Sequence, residues 1–128
     1  LPGYADPDNR QPMRFDAELS ANESAVLSHV QKLGQARREH PALSTGDRSE
    51  WWENQRDVWG YARVDGDDAA IVLINRGSSK QVVTNALAFA GLPQGSYEDA
   101  LTGTTYASSG DSISIDVAAM SSRVLVVK

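Results

Sequence analysis

The chain has 128 residues, with 17 Asp and Glu against 12 Lys and Arg, for a net charge of −5. That is the size of one domain, or of one domain with an appendage, and is long enough to bury a core even at 41% hydrophobic content. The acidic balance without a basic run excludes a nucleic-acid or anionic-membrane surface. The absence of cysteine excludes disulfides and thiolate zinc sites, and no apolar stretch approaches the ~20 residues of a membrane span.

In chain order, the first feature is Leu1-Pro2-Gly3, with no initiator methionine and no recognisable leader; it reads as a processed product or a piece of a longer chain. Asp6-Pro7-Asp8-Asn9-Arg10-Gln11-Pro12-Met13-Arg14-Phe15 follows. Its prolines fix their own φ and push the preceding residues out of the helical region, so the stretch is a rigid loop. Such a loop, rich in charged and planar polar groups, either binds a polar ligand or is tied down by its own Asp–Arg pairs.

Ser20-Ala21-Asn22-Glu23 then supplies an N-cap with an acidic residue in the first turn. Val26, Val30, Leu33 and Arg37 recur at helical spacing, Ala25, Leu27 and Ala36 widen the stripe, and Pro41 stops it. These signals predict one helix over residues 22–39, whose apolar stripe must face something.

After residue 42 the pattern is strands and turns. Val58, Gly60, Ala62 and Val64 alternate with Trp59, Tyr61 and Arg63; Asp65-Gly66-Asp67-Asp68 makes a turn before 69–75. Further turns at 75–79, 92–96 and 110–111 separate runs at 81–84, 112–117 and 122–128. Seven or eight short strands predict an antiparallel, Greek-key-like β-sandwich.

Among the chemistry-bearing residues, His29 and His40 lack metal-ligand spacing, and His40 suits a cation at the helix end. No Gly-x-Ser-x-Gly elbow accompanies the serines. Asp65 to Asp68 lack the spaced ligands and terminal Glu of a calcium loop. Glu50, Glu53, Glu98 and Asp99 read as solvated surface near strand ends. Trp51 and Trp52 are adjacent, and adjacent strand residues face opposite sides of a sheet. One of them therefore meets another domain, a sugar or solvent.

Several of these pieces form a recognisable series. Gly3 to Arg10 fits Gly-x-x-Asp-Pro-x-x-Arg, and Arg10-Gln11-Pro12-Met13-Arg14-Phe15 follows it. Arg37-Arg38-Glu39-His40-Pro41-Ala42-Leu43 ends the helix, and Gly95-Ser96-Tyr97-Glu98-Asp99-Ala100-Leu101-Thr102-Gly103 fits Gly-x-Tyr-x-Asp-x-Leu-x-Gly. In this order they resemble the C-terminal part of the alpha-amylase family of glycoside hydrolases (family thirteen). The resemblance covers essentially the whole chain. It implies that residues 1–41 are the end of the catalytic (β/α)8 barrel, with a substrate-side loop at 1–19 and the last barrel helix at 22–39. Residues 42–128 are then the appended all-β C-terminal domain.

The same resemblance implies that the three catalytic carboxylates lie on barrel strands outside this chain, leaving no catalytic residue in it. Asp6 and Arg10 match loop positions that hydrogen-bond sugar hydroxyls on the glycone side, as a carboxylate and a guanidinium are suited to do; the competing role is a salt bridge between them that stiffens the loop. Trp51 and Trp52 are a sugar platform or an interdomain contact. No cofactor or metal is expected in the chain, calcium belonging to the barrel. The implied partners are that barrel and an alpha-glucan or oligosaccharide substrate, in a secreted or periplasmic rather than cytoplasmic protein. The alternative is a free-standing carbohydrate-binding or adhesion-type sandwich with no catalytic partner.

Overall fold

The computed structural model describes residues 12, 14–53 and 57–128. The chain divides into two compact units, Leu1–Val30 and Gln31–Lys128. In the first, a 3-10 turn at Asp16–Glu18 leads to Ser20, the N-cap of helix α1 (Ala21–Glu39). The cap is a reciprocal box: the Ser20 amide and hydroxyl both donate to Glu23 Oε2, at 2.9 and 2.8 Å, while the Glu23 amide donates to Ser20 Oγ at 3.4 Å. Arg14 pairs with the other Glu23 carboxylate oxygen. These bonds hold the Glu23 carboxyl below its ordinary range, the Ser20 amide contributing most.

The second unit holds the end of α1 and eight strands: β1 Asp47–Glu53, β2 Val58–Asp65, β3 Asp68–Asn75, β4 Gln81–Ala86, β5 Ser96–Asp99, β6 Thr105–Ala107, β7 Ser112–Val117 and β8 Ser121–Val127. They form a six-stranded sheet in the order β1-β2-β3-β8-β5-β6 and a two-stranded sheet β4-β7, with every pair antiparallel. The chain leaves the large sheet after β3 and returns to its centre as β8, the crossover of a Greek-key-like sandwich. Strands β2, β3, β4, β7 and β8 fall on the runs the sequence marks, and the total of eight matches the seven or eight expected; the bounds of β1, β5 and β6 and the short 3-10 turns at Pro41–Leu43 and Ala88–Ala90 were not anticipated.

Between the sheets lies the core. Ala62, Ile71, Leu73 and Leu125 of the large sheet meet Val83, Ile113, Ile115 and Val117 of the small one, all fully or almost fully buried. Each large aliphatic side chain removed from water there contributes roughly 1.5–3 kcal/mol. The β2–β3 hairpin closes with Asp65 opposite Asp68, so the acidic run is a turn, as its spacing predicts. Asn75 anchors the end of β3: its Nδ2 donates to the carbonyls of Ser79, Val117 and Ala118, and its Oδ1 accepts from the Gly77 amide.

One expectation fails here. Trp51 and Trp52 do not face opposite sides of the sheet. The β1–β2 register shifts between Glu50 and Trp52, so Trp51 is the extra residue of a β-bulge, and the alternation rule lapses at that point. Trp51 is 2% exposed in the core, and Trp52, half-buried, packs against the same core. Gly60, paired with Trp52, makes room for it: a Cβ at that position would lie 3.3 Å from Trp52 Cβ and 2.5 Å from Leu73 Cδ2.

Candidate functional site

Asp6 and Arg10, the residues first in line for a sugar, lie outside the described residues. Trp51 is committed to packing, its Nε1 donating to the Ala86 carbonyl at 3.0 Å while the side-chain Nδ2 of Asn85 donates back to the Trp51 carbonyl at 2.5 Å. The indole that reaches the surface is Trp59, which strand alternation placed on the face opposite Val58 and Gly60.

The Gly95–Gly103 motif proves to be a structural corner. Tyr97 is fully buried and donates its hydroxyl to the Pro93 carbonyl at 2.6 Å; burial pushes its pKa up to about 12. Asp99 is also fully buried. Its Oδ1 accepts from the Leu101 and Val124 amides, each at 3.2 Å, and its Oδ2 from Thr102 Oγ1 at 2.7 Å and Arg123 Nη1 at 2.9 Å. The Gly103 amide closes the turn on the Asp99 carbonyl at 2.7 Å.

Arg123 carries the brace across the sandwich. Its Nε donates to the Asp116 carbonyl at 3.0 Å, and its Nη2 lies 3.5 Å from Asp116 Oδ2. Tyr106 donates to Asp116 Oδ1 at 2.9 Å, a bond that holds the Asp116 carboxyl below its ordinary range with help from Arg123. Burial, together with that bond, pushes Tyr106 up to about 12. Both carboxylates are engaged by the same guanidinium and the tyrosines are neutral, so this cluster braces the fold and offers no free acid or base. Asp99 was expected at the surface; the guanidinium that pairs with it, Arg123, comes from a strand whose pairing with β5 the sequence does not announce.

Two further candidates are also occupied. Glu98 pairs with Lys128 at 2.8 Å. His40, following α1, lies with Nδ1 3.0 Å from Asp68 Oδ1, while Asp68 Oδ2 accepts from the Ala42 amide at 2.9 Å. Among the described residues no cluster of His, Asp and Glu has the makings of a metal site.

What remains open is the outer face of the large sheet. A groove of about 330 Å³ has Tyr61, Arg63, Val72, Ile74, Ser122 and Val124 as its floor, with Leu33, Arg37 and Leu43 beside them. At its margin Trp59 and Tyr61 stand with ring centroids 5.1 Å apart, and the Arg48 guanidinium lies 5.0 and 5.1 Å from the two rings, a cation–π stack.

No family model matches the chain. The cyclomaltodextrin glucanotransferase of Geobacillus stearothermophilus is 39% identical over 103 residues, which are 80% of this chain and 14% of that enzyme. The chain thus spans about a seventh of the length of the curated relatives it matches. An Anoxybacillus alpha-amylase superposes on 98% of the chain with a TM-score of 0.76 at 27% identity, using 26% of its own length. The acarbose complex of the alpha-amylase from Geobacillus thermoleovorans superposes on 100% of the chain with a TM-score of 0.79 at 23% identity, using 27% of its length.

Proposed function

Starting from the premise that the chain is a C-terminal part of an alpha-amylase-family glycoside hydrolase, we propose that it caps and stabilises the catalytic barrel of an alpha-glucan-active hydrolase or transglycosylase. Residues 1–41 are the end of that barrel and residues 42–128 its C-terminal domain; the catalytic carboxylates lie outside the chain. The observation that carries the reading is the state of α1. Val26 and Val30 are 64% and 57% exposed and Leu27 is also exposed, on a helix whose cap is fully formed. A free-standing sandwich has no use for a well-capped helix with its apolar stripe in water, whereas a last barrel helix buries that stripe against its neighbours.

Val30→Asp tests this. In the chain alone the change is at an exposed site and shifts stability by about 0.5 kcal/mol or less. In the intact enzyme it puts a carboxylate into a packed contact and forfeits roughly 1.5–3 kcal/mol of burial. Thermal denaturation of both proteins compares the two; equal small shifts refute the barrel-helix reading.

Asp6 and Arg10 are the loop residues we assign to substrate hydroxyls. A charged hydrogen bond to ligand is worth about 1.5–3 kcal/mol, so Arg10→Ala in the intact enzyme lowers kcat/KM roughly ten- to hundredfold on maltooligosaccharides. Unchanged kinetics with a lowered melting temperature make the pair a loop strut instead.

A further inference from the structure

Resting on the alpha-glucan reading above, we propose that a polar notch on the other flank of α1 is a non-catalytic binding site for a short stretch of glucan chain. The notch has a volume of about 310 Å³ and lies within the second unit. Lys32, Gln35 and Glu39 of α1, His40 just after it and Glu98 of β5 supply its polar lining, over a floor of Ala36, Ala100 and Val126. Ligand pockets run from roughly 300 to 1,000 Å³, so the notch suits a sugar unit or two rather than a protein segment. At about 100° per residue, Lys32, Gln35 and Glu39 project from the side of α1 opposite the stripe of Val26, Val30, Leu33 and Arg37. Whatever buries that stripe in the intact enzyme therefore leaves the notch open.

The lining selects a neutral ligand with many hydroxyls. Its polar heads are already fixed. Gln35 Nε2 donates to Glu39 Oε1 at 2.9 Å, and Lys32 Nζ donates to the Leu101 carbonyl at 2.9 Å. Lys128 Nζ lies 2.8 Å from Glu98 Oε2, and His40 Nδ1 lies 3.0 Å from Asp68 Oδ1. Among the described residues these bonds leave Gln35 Oε1, Glu39 Oε2 and Glu98 Oε1 to accept, and the other ammonium protons of Lys32 to donate. Neighbouring sugar hydroxyls donate and accept at once, which matches that mixture of partners. Groups held in place beforehand also lose little freedom on binding. The charges oppose the alternatives: Glu39 and Glu98 repel an anion, and Lys32 repels a cation. The short aliphatic floor suits the C–H face of a sugar ring.

The test is carboxyl footprinting of the intact enzyme. A carbodiimide couples an amine to accessible carboxylates, and peptide mass spectrometry reads each Asp and Glu with and without maltose. Asp67, exposed in the β2–β3 turn and outside the notch, is the internal control. The proposal predicts that maltose slows labelling of Glu39 and Glu98 and leaves Asp67 unchanged, with half-protection at a roughly millimolar concentration. In Gln35→Ala, an exposed position, half-protection moves up about tenfold through lost hydrogen bonds to the ligand. Unchanged labelling of Glu39 and Glu98 at about a hundredfold higher maltose overturns the proposal, as does the same half-protection in Gln35→Ala. Equal protection by sodium phosphate also overturns it, making the notch an anion site, and equal protection of Asp67 makes the effect a general one. Glucan turnover by the same preparation keeps the two readings apart. Turnover without protection removes the notch and leaves the glucan enzyme standing, whereas absent turnover brings down both.

Discussion

Asp99 is a fully buried carboxylate with four donors on its two oxygens, one of them the Arg123 guanidinium. Burying a charge is costly unless every lone pair is met, and here the turn amides, Thr102 and Arg123 meet them. Arg123→Ala strands the carboxylate in the core and lowers the unfolding free energy by about 3 kcal/mol, measured by urea denaturation of the chain. Replacing Asp116, whose side chain is far more exposed, has a smaller effect. A loss for Arg123→Ala no larger than for Asp116→Asn contradicts the brace. The two tryptophans teach the complementary lesson at this scale. Their place on a strand was legible, but one of them was expected to face away from the core, and both pack against it. A single inserted residue in the β1–β2 pairing cancels the rule that neighbours point to opposite faces, and no local property of Glu50-Trp51-Trp52 marks the insertion. Asp99 was misread for a related reason: its partner Arg123 lies 24 residues away on a strand that reaches it only through the sandwich crossover.

At the scale of elements, α1 was the most legible part of the chain. Cap, stripe and stop are all local, and the observed Ala21–Glu39 begins one residue before the expected start. The strands at 58–75 and 112–127 were legible for the same reason, alternation being a property of a short window. Pairing order was not, because β3 and β8 become neighbours through contacts more than 40 residues apart in sequence. The capping box also makes a testable statement about pH. Glu23 accepts hydrogen bonds as a carboxylate, so its pKa lies below the ordinary 4.5, and its contribution to the helix is present above that value and lost as the pH falls through the lowered one. In Ser20→Ala the hydroxyl bond disappears while the amide bond remains. An NMR titration then finds the Glu23 pKa moved part of the way back towards 4.5, and an unmoved value contradicts the reciprocal cap.

For the whole molecule, the order of the motifs announced the family region, and the fold carries that order out: capped helix, Pro-Ala-Leu turn, hairpin, buried Tyr–Asp corner. The function of those motifs is mostly structural. Tyr97, Asp99 and Gly103 build a corner, and the Asp65–Asp68 run builds a hairpin tied to His40 and Ala42. The polar clusters described are satisfied internally, whereas the apolar side chains of α1 and of the outer sheet face are left open. That distribution supports the proposed role, a region that assists chemistry performed elsewhere. The most direct measurement is glucan turnover by the purified 128-residue chain beside the intact enzyme, with soluble starch and maltooligosaccharides as substrates. The account predicts turnover by the intact enzyme and none above a blank by the chain. Turnover by the chain, abolished by replacing a carboxylate within residues 1–128, would contradict it.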